Sequence, residues 1–179
     1  IRQACAKGAL LYRQGRPLCM AVNLFSAQFK LGGLARMVAD TLRETGLPGE
    51  GLEIEITERV IINSDNRLKN TLNDLRSLGC QLAFDDFGTG YASLSMLKEF
   101  PITRLKVDKS FVDAIHESGE DHAVVQAMIQ LAETFGFSIT AEGIETEQQA
   151  EVLRQLGCRE GQGYLFGKPM PWQELYALL

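Results

Sequence analysis

Two adjacent carboxylates end an apolar run near the middle of the sequence. Leu82-Ala83-Phe84 has strand character and is followed directly by Asp85 and Asp86. Gly88 and Gly90 come next, and because glycine adopts positive φ without steric cost, they predict a tight loop. Adjacent strand residues point to opposite faces, so the two carboxylates can share one site only where the strand ends. An isolated pair of this kind is most often a solvated turn.

Polar residues at other strand ends favour a site instead. The full set is Asn23, Glu55, Asp85, Asp86, Lys106, Glu142 and Gln162. Each residue alone has an ordinary explanation, such as a turn former or an ion-pair partner. Together, on the carboxyl edge of a parallel sheet, they predict a common site. Carboxylate and amide oxygens suit Mg²⁺ or Mn²⁺, and without cations some of these acids would have to protonate. An acid shared by two metals ~3.5–4 Å apart is typical of phosphodiester hydrolysis, and a lysine would offset charge on the phosphoryl oxygens.

The segments between these strand ends alternate between strand and helix patterns. We predict six strands, over Met20–Asn23, Leu52–Ile56, Gln81–Asp85, Arg104–Asp108, Phe137–Ala141 and near Gly161–Gly163. Six helices are predicted. The first ends near residue 12, the second contains Leu31, Leu34, Val38 and Leu42, and the third contains Leu68, Leu72 and Leu75. The fourth is capped by Asp121, the fifth begins with a capping box of Thr146 and Gln149, and the sixth has Pro171 in its first turn. This alternation fits a doubly wound sheet or a (β/α) barrel. The barrel is favoured because polar residues end nearly every strand, although six strands fall short of eight.

Length and composition predict one globular domain. The chain has 179 residues, of which 45% are hydrophobic and 23% charged. A net charge of −5 gives no support to coating of a nucleic-acid polymer. No apolar run approaches the ~20 residues of a membrane span. The four cysteines are far apart and form no CxxC pair, which fits reduced thiols in a cytoplasm.

The complete set of motifs resembles a known family, the EAL-domain phosphodiesterases that hydrolyse cyclic di-GMP. The matching stretches, in the family's order, are Val22–Leu24, Glu53–Glu58, Asp85–Leu94, Leu105–Asp108, Ala141–Thr146 and Gly161–Tyr164. The resemblance implies a TIM-like barrel. The family's signature Glu-Ala-Leu segment, which carries a metal-ligating glutamate, does not occur in the chain, and the chain begins at Ile1 rather than Met. We therefore expect residues 1–179 to be a single EAL-type domain that lacks its first strand and the start of the following helix.

The resemblance also implies roles for individual residues. Asn23, Glu55 and Asp85 would bind the first of two Mg²⁺ or Mn²⁺ ions, and Asp85, Asp86 and Glu142 the second, with Ca²⁺ inhibitory. Lys106 would position the attacking water or the phosphate, with Glu142 as the other catalytic residue. Gln162 would form the floor of the site. Glu58 and Glu145 would anchor the loop from Asp86 to Leu94, which includes Gly88, Thr89 and Gly90. Phe111 would have a packing role.

The expected function is hydrolysis of cyclic di-GMP to the linear dinucleotide. An alternative is a non-catalytic module of the same fold that binds cyclic di-GMP or a partner protein. The types of residue at the strand ends, taken without the family resemblance, would also suit a third class of protein, a Mg²⁺-dependent lyase with a lysine base. The expected partners are cyclic di-GMP, a second copy through the loop after Asp86, and attached regulatory or sensory domains, but no DNA or RNA polymer. The expected location is the cytoplasm, either free or as the cytoplasmic part of a membrane-anchored protein.

Overall fold

Parallel strand pairing organises the chain. The structure is a computed structural model that describes residues 1–30, 32–62, 66–90, 94–117 and 119–179, with residues 30, 59 and 62 described by their backbone alone. Within these residues, six strands pair in chain order in one parallel sheet. They are β1 (Met20–Asn23), β2 (Leu52–Thr57), β3 (Gln81–Phe87), β4 (Arg104–Val107), β5 (Ser138–Ala141) and β6 (Glu160–Gly161).

Helices precede, connect and follow these strands. They are α1 (Arg2–Arg13), α2 (Ser26–Lys30), α3 (Leu34–Thr45), a 3₁₀ turn (Gly49–Gly51), α4 (Glu58–Ile62), α5 (Asn66–Ser77), α6 (Leu94–Glu99), α7 (Lys109–Val112), α8 (Gly119–Phe135), α9 (Glu147–Gln155) and α10 (Trp172–Leu178). Every strand-to-strand connection contains a helix, as parallel pairing requires. The sheet curls into a half-barrel, which confirms the predicted incomplete TIM-like barrel. None of the described helices combines the length and apolar character needed to cross a bilayer.

Strand alternation separates an apolar outer face from a polar inner face. Leu52, Ile54 and Ile56 of β2 have no exposed surface and belong to the hydrophobic core. The glutamates between them, Glu53 and Glu55, are also buried, on the opposite face of the same strand. The helices cover the apolar face, so the polar face forms the interior of the half-barrel.

The first and last helices contact each other. The Lys7 ammonium lies 5.0 Å from the centre of the Trp172 ring. The Gln14 side-chain amide donates a hydrogen bond of 2.6 Å to the Tyr176 hydroxyl. These contacts join α10 to α1 and to the residue that follows α1.

Several predicted helix limits are wrong for identifiable reasons. The helix predicted to include Leu31 and Leu34 begins only at Leu34, because Gly32 and Gly33 have φ of 73° and 71°; Leu31 lies outside the described residues. Helix α8 begins at Gly119, so Asp121 lies in its first turn and does not cap it. Pro171 is the N-cap of α10 rather than a first-turn residue. Helix α4, five residues long, was not predicted.

The strand predictions are nearer the structure. Strand β3 continues two residues beyond its predicted end, to Phe87. Strand β6 occupies Glu160–Gly161 rather than the stretch near Gly161–Gly163. The capping box of Thr146 and Gln149 at the start of α9 is confirmed, since each side chain accepts a hydrogen bond from the other residue's backbone N–H.

Candidate metal centre

The carboxyl ends of the strands place the predicted site residues along one edge. Asn23 is the register partner of Glu55, and Thr57 that of Asp85. Backbone hydrogen bonds continue this ladder beyond the ends of β5 and β6. The Glu142 N–H donates to the Val107 carbonyl at 3.1 Å, and the Gln162 N–H donates to the Ala141 carbonyl at 2.8 Å. The backbone of each residue is therefore fixed by the neighbouring strand.

A buried ammonium group lies among three carboxylates of this edge. Lys106 Nζ is 2.6 Å from Glu55 Oε1, 2.6 Å from Glu142 Oε1 and 3.1 Å from Asp85 Oδ1. The Lys106 side chain is only 5% exposed. We call these four residues the Lys106 cluster. Strands β2, β3 and β4 and the residue after β5 each contribute one member, so the cluster exists only in the folded sheet.

The charges of the cluster change its proton affinities. Burial lowers the pKa of Lys106, but hydrogen bonds to Glu142 and Glu55 outweigh it, and the net shift is upward. Burial raises the pKa of Glu142, the Lys106 ammonium opposes this, and the charges of Asp85 and Glu55 add to the rise. One cation thus does not neutralise the acids that surround it.

A bulge in β3 brings the paired aspartates together. Asp86 has φ of 55°, the only positive φ at a non-glycine residue of the described chain. The register with β4 shifts between Phe84 and Phe87, which is characteristic of a β-bulge. The predicted strand end at Asp85 is therefore wrong, and the bulge is what lets consecutive side chains share a site. Strain of this kind is concentrated at functional sites.

Asp85, Asp86 and Glu142 form a group suited to a divalent cation. One oxygen from each lies within 4.8 Å of the others. Asp85 Oδ1 is buried and accepts no hydrogen bond from the described residues; Lys106 Nζ is 3.1 Å away, but outside hydrogen-bonding geometry. Hard carboxylate oxygens, one of them without a hydrogen bond, fit Mg²⁺ or Mn²⁺. The pKa of Asp86 is raised by burial and then by the charges of Asp85 and Asp108, which is the effect that a bound cation would relieve.

Two predicted residues lie at the rim. Asn23 is exposed at the end of β1, opposite Glu55 in the register. Gln162 is exposed after β6, and its backbone hydrogen-bonds to Ala141 and Ile144. Their roles as metal ligand and as floor of the site stay predictions.

The loop after Asp86 is fastened at several points. The Thr89 hydroxyl donates a hydrogen bond of 2.9 Å to the Asp86 carbonyl. At Gly88, φ is 98°, and a Cβ would lie 2.3 Å from Met128 Cε and 3.1 Å from Phe111. At Gly90, a Cβ would lie 2.2 Å from Glu58 Oε2. The buried Glu58 carboxylate therefore packs directly against the loop backbone, a position compatible with its predicted anchoring role; the remaining loop residues 91–93 lie outside the described part.

Glu145, the other predicted anchor, is held by a lysine. Lys109 Nζ lies 2.5 Å from Glu145 Oε1 and 3.8 Å from Asp113 Oδ1. The aliphatic part of Lys109 crosses Gly143, where a Cβ would lie 2.3 Å from Lys109 Cγ. Lys109 thereby supports the segment that follows Glu142, and anchoring of the loop by Glu145 stays a prediction.

A second polar group of the interior was missed by the sequence analysis. Arg104 Nε donates to Glu53 Oε2 at 2.7 Å, and Arg104 Nη1 donates to Thr140 Oγ1 at 2.8 Å and to Glu160. We call these four residues the Arg104 cluster. Its members precede Glu55, Lys106, Glu142 and Gln162 by two residues each, so strand alternation places them on the same inner face. That two-residue repeat is the signal that would have found them.

Asp108 was also given no role. Its carboxylate accepts a hydrogen bond of 3.0 Å from the Ser110 N–H and caps α7. It also raises the pKa of the nearby Asp86. Its place directly after β4, two residues from Lys106, matches the pattern of the other strand-end acids.

Comparison with known proteins places the chain in a family. The model of the EAL domain matches residues 1–169. An uncharacterized protein of Synechocystis sp., sll1895, is 46% identical over 160 residues, which are 89% of this chain and 23% of that protein. The chain thus spans about a quarter of this relative's length.

Solved structures agree with the half-barrel. The PaMucR phosphodiesterase in complex with c-di-GMP has a TM-score of 0.91 at 37% identity, covering 97% of this chain and 71% of that one. The EAL domain of Mycobacterium smegmatis DcpA has a TM-score of 0.93 at 39% identity, covering 99% and 81%. Klebsiella pneumoniae BlrP1 with manganese and cyclic di-GMP has a TM-score of 0.86 at 33% identity, covering 94% and 43%. A calcium complex of BlrP1 has a TM-score of 0.85 at the same identity, covering 94% and 42%. With its family model matched over residues 1–169, the chain belongs to the EAL-domain family.

Proposed function

We propose that this chain hydrolyses cyclic di-GMP to the linear dinucleotide with divalent cations bound at the strand ends. The observation that carries the proposal is the convergence of Asp85, Asp86 and Glu142 oxygens within 4.8 Å beside the buried Lys106 ammonium. Similar solved structures include a phosphodiesterase bound to c-di-GMP and a manganese complex with cyclic di-GMP. Membership of the family makes the same substrate the first candidate.

The acids would hold two cations, Mg²⁺ or Mn²⁺. Asp85, Asp86 and Glu142 would bind one ion, and Asp85 with Asn23 and Glu55 the other. Such ions supply Lewis-acid catalysis of phosphoryl transfer and reverse the negative charge of the site, so that an anionic substrate is attracted. The described acids provide the hard oxygen donors that this chemistry needs.

Lys106 would hold a positive charge where negative charge develops on the phosphoryl oxygens. Its ammonium is buried, and its pKa is raised by hydrogen bonds to Glu142 and Glu55, so it stays protonated at neutral pH. A fixed cation in a site shielded from water stabilises a transition state more than it would in bulk water. Lys106 therefore acts as an electrostatic group in this proposal and does not serve as a base.

The loop after β3 would order the site for reaction. Thr89 and Gly88 fix the turn next to Asp86, and the Glu58 carboxylate lies against Gly90. We further propose that this loop takes part in contacts between two copies of the chain. The exposed Leu94 side chain, 57% accessible at the start of α6, supports an interface there. A cytoplasmic location and attached regulatory or sensory domains also belong to the proposal, since the chain corresponds to 23% of the sll1895 sequence.

The test is product formation from cyclic di-GMP, followed by chromatography of the linear dinucleotide. It uses the 179-residue chain and, alongside it, a version with any residues that its gene encodes before Ile1, because no Glu-Ala-Leu segment occurs within residues 1–179. Each protein is assayed in Mg²⁺, Mn²⁺, Ca²⁺ and EDTA. We expect cleavage in Mg²⁺ or Mn²⁺, none in EDTA, and binding without cleavage in Ca²⁺, which tolerates irregular coordination.

The controls separate the alternatives. Asp85→Asn should remove cleavage, whereas Glu160→Gln, an equally conservative change in the Arg104 cluster, should leave it nearly unchanged. Binding of cyclic di-GMP by either protein without cleavage in any metal would identify a binding module instead of an enzyme. Absence of both binding and cleavage would contradict the proposed substrate.

A further inference from the structure

Lys106 and a divalent cation would use the same carboxylates. The ion pairs of Lys106 include Asp85 Oδ1 and Glu142 Oε1, and both residues belong to the three-acid group that can hold a metal. An ammonium group has three donor hydrogens, and Lys106 Nζ faces three carboxylates. The lysine thus takes the position of a cation within the set of acids.

The acids need such a cation when no metal is bound. The side chains of Glu55, Asp85 and Glu142 are 7%, 12% and 18% exposed, so their mutual repulsion is weakly screened. Asp86 adds a fourth carboxylate within 4.8 Å of Asp85 and Glu142. Burying charges of one sign without a partner is strongly unfavourable. Lys106 is the only cation that the structure places within 4 Å of these acids among the described residues.

We propose that Lys106 is the resident cation of the metal-free site, and that a divalent cation binds Asp85 and Glu142 only as the Lys106 ammonium releases them. This inference rests on the metal site of the proposed function and adds a competition that the function itself does not require. Metal binding then weakens the ion pairs of Lys106, and these ion pairs in turn weaken metal binding. Removal of the ammonium should strengthen metal binding and weaken the metal-free fold.

The Arg104 cluster offers a matched comparison. Arg104 also bonds two acids inside the half-barrel, but neither Glu53 nor Glu160 belongs to the three-acid metal group. Loss of either cation leaves acids without their partner. Only loss of Lys106 should be compensated by a divalent cation, because two of its partners, Asp85 and Glu142, belong to the three-acid group found among the described residues.

The experiment compares the wild-type chain with Lys106→Met and Arg104→Met, both of which remove the charge and keep a flexible apolar stem. Thermal unfolding is followed in EDTA and in Mn²⁺ at one pH, and Mn²⁺ affinity is measured by calorimetry. In Lys106→Met we expect a lower unfolding midpoint in EDTA than in wild type, and a larger rise of that midpoint on adding Mn²⁺. We also expect Mn²⁺ to bind about 5- to 150-fold more tightly, the usual range for coupled binding events. In Arg104→Met the midpoint should fall without extra rescue by Mn²⁺. Weaker Mn²⁺ binding in Lys106→Met would overturn the proposal, since the lysine would then assist the metal.

A measurement on the wild type covers the case in which Lys106→Met does not fold. In protein labelled with ¹⁵N-lysine, a buried ammonium that is hydrogen-bonded to Glu55 and Glu142 exchanges slowly with water and gives a visible signal, unlike those of exposed lysines. We expect this signal in EDTA and its loss or a large shift at stoichiometric Mg²⁺. A signal that stays unchanged at saturating Mg²⁺ would overturn the inference.

These readouts are independent of turnover. A chain that shows the competition but never cleaves cyclic di-GMP contradicts the proposed function alone. A chain that cleaves cyclic di-GMP and binds Mn²⁺ with Lys106 undisturbed contradicts only the competition.

Discussion

Arg104 and Lys106 lie two residues apart on β4, and each is surrounded by acids inside the half-barrel. Arg104 bonds Glu53 and Thr140 at 2.7 and 2.8 Å and also bonds Glu160, whose side chain is 54% exposed. Arg104 therefore has two acidic partners, and one of them, Glu160, is half exposed to solvent. Lys106 faces three acids, none more than 18% exposed.

The difference separates a structural cluster from a reactive one. In the Arg104 cluster the guanidinium donates hydrogen bonds to Glu53, Thr140 and Glu160, and so joins β4 to β2, β5 and β6. In the Lys106 cluster the acids exceed the cation, the pKa of Glu142 is raised by burial, and Asp85 Oδ1 accepts no hydrogen bond from the described residues. An excess of buried negative charge at the carboxyl edge is what a divalent cation would neutralise. The following predictions test whether the two clusters differ in this way.

The largest expected effect is the loss of hydrolysis in Asp85→Asn. Asp85 would contact both cations, and each cation contributes to the reaction, so a loss of several kcal/mol in transition-state stabilisation, at least about 10³-fold in rate, is expected. Asp86→Asn should chiefly remove one ion. The measurement is turnover of cyclic di-GMP in Mg²⁺ or Mn²⁺, with Glu160→Gln in the Arg104 cluster as control. Near wild-type turnover in Asp85→Asn would contradict the assignment of the site.

The second largest expected effect is a loss of folding stability when Arg104, in the Arg104 cluster, is replaced. Arg104→Met leaves Glu53 without its cation, and removing one partner of a buried ion pair costs about 3 kcal/mol. Glu160→Gln should cost less, because the Glu160 side chain is half exposed. Denaturant unfolding of both variants, with and without Mg²⁺, checks this. A metal-dependent loss in Arg104→Met would show that the two clusters are not separate.

The incomplete barrel could be predicted because six strand patterns alternate with helix patterns, nearly every strand ends in a polar residue, and the motifs resemble those of the EAL family. All four members of the Lys106 cluster were among the predicted strand-end residues, since strand ends of a parallel sheet meet at one edge. The sequence could not predict the bulge at Asp86, because a positive φ at an aspartate is fixed by the surrounding sheet and not by local preference. The Arg104 cluster was missed because Arg104 and Glu160 each read as an ordinary charged residue until the strands are placed side by side.

A smaller effect concerns the loop at the edge of the site. In Gly90→Ala the new Cβ would lie 2.2 Å from Glu58 Oε2, so the buried carboxylate must shift. If Glu58 orders the loop, Gly90→Ala and Glu58→Ala should each lower turnover, by about tenfold, without changing a metal ligand. The check is turnover across a Mg²⁺ titration. Gly119→Ala, where a Cβ meets nothing within 4 Å, is the matched control. An unchanged maximal rate in both variants would reduce Glu58 to a structural acid.

The smallest effect is the pH dependence of stability without metal. Burial and the charges of Asp85 and Asp108 raise the pKa of Asp86, so the folded chain binds this proton more tightly than the unfolded chain. The resulting contribution to stability is fully present below the ordinary carboxyl pKa and is lost as the pH rises through the raised value. In EDTA, Asp86→Asn should therefore lose less stability than wild type as the pH rises toward neutrality. Asp74→Asn, which changes an exposed carboxylate of α5 in the same way, is the control. Identical pH profiles of wild type and Asp86→Asn would contradict the raised pKa.

The most direct test of the difference between the clusters is anomalous diffraction from crystals of the chain grown with Mn²⁺ and cyclic di-GMP. We predict a manganese peak bounded by Asp85, Asp86 and Glu142, with Lys106 Nζ displaced from Asp85 and Glu142, and no peak among Glu53, Arg104 and Glu160. A structure with no manganese at the three acids, and with Lys106 still bonded to Glu142, would contradict the account.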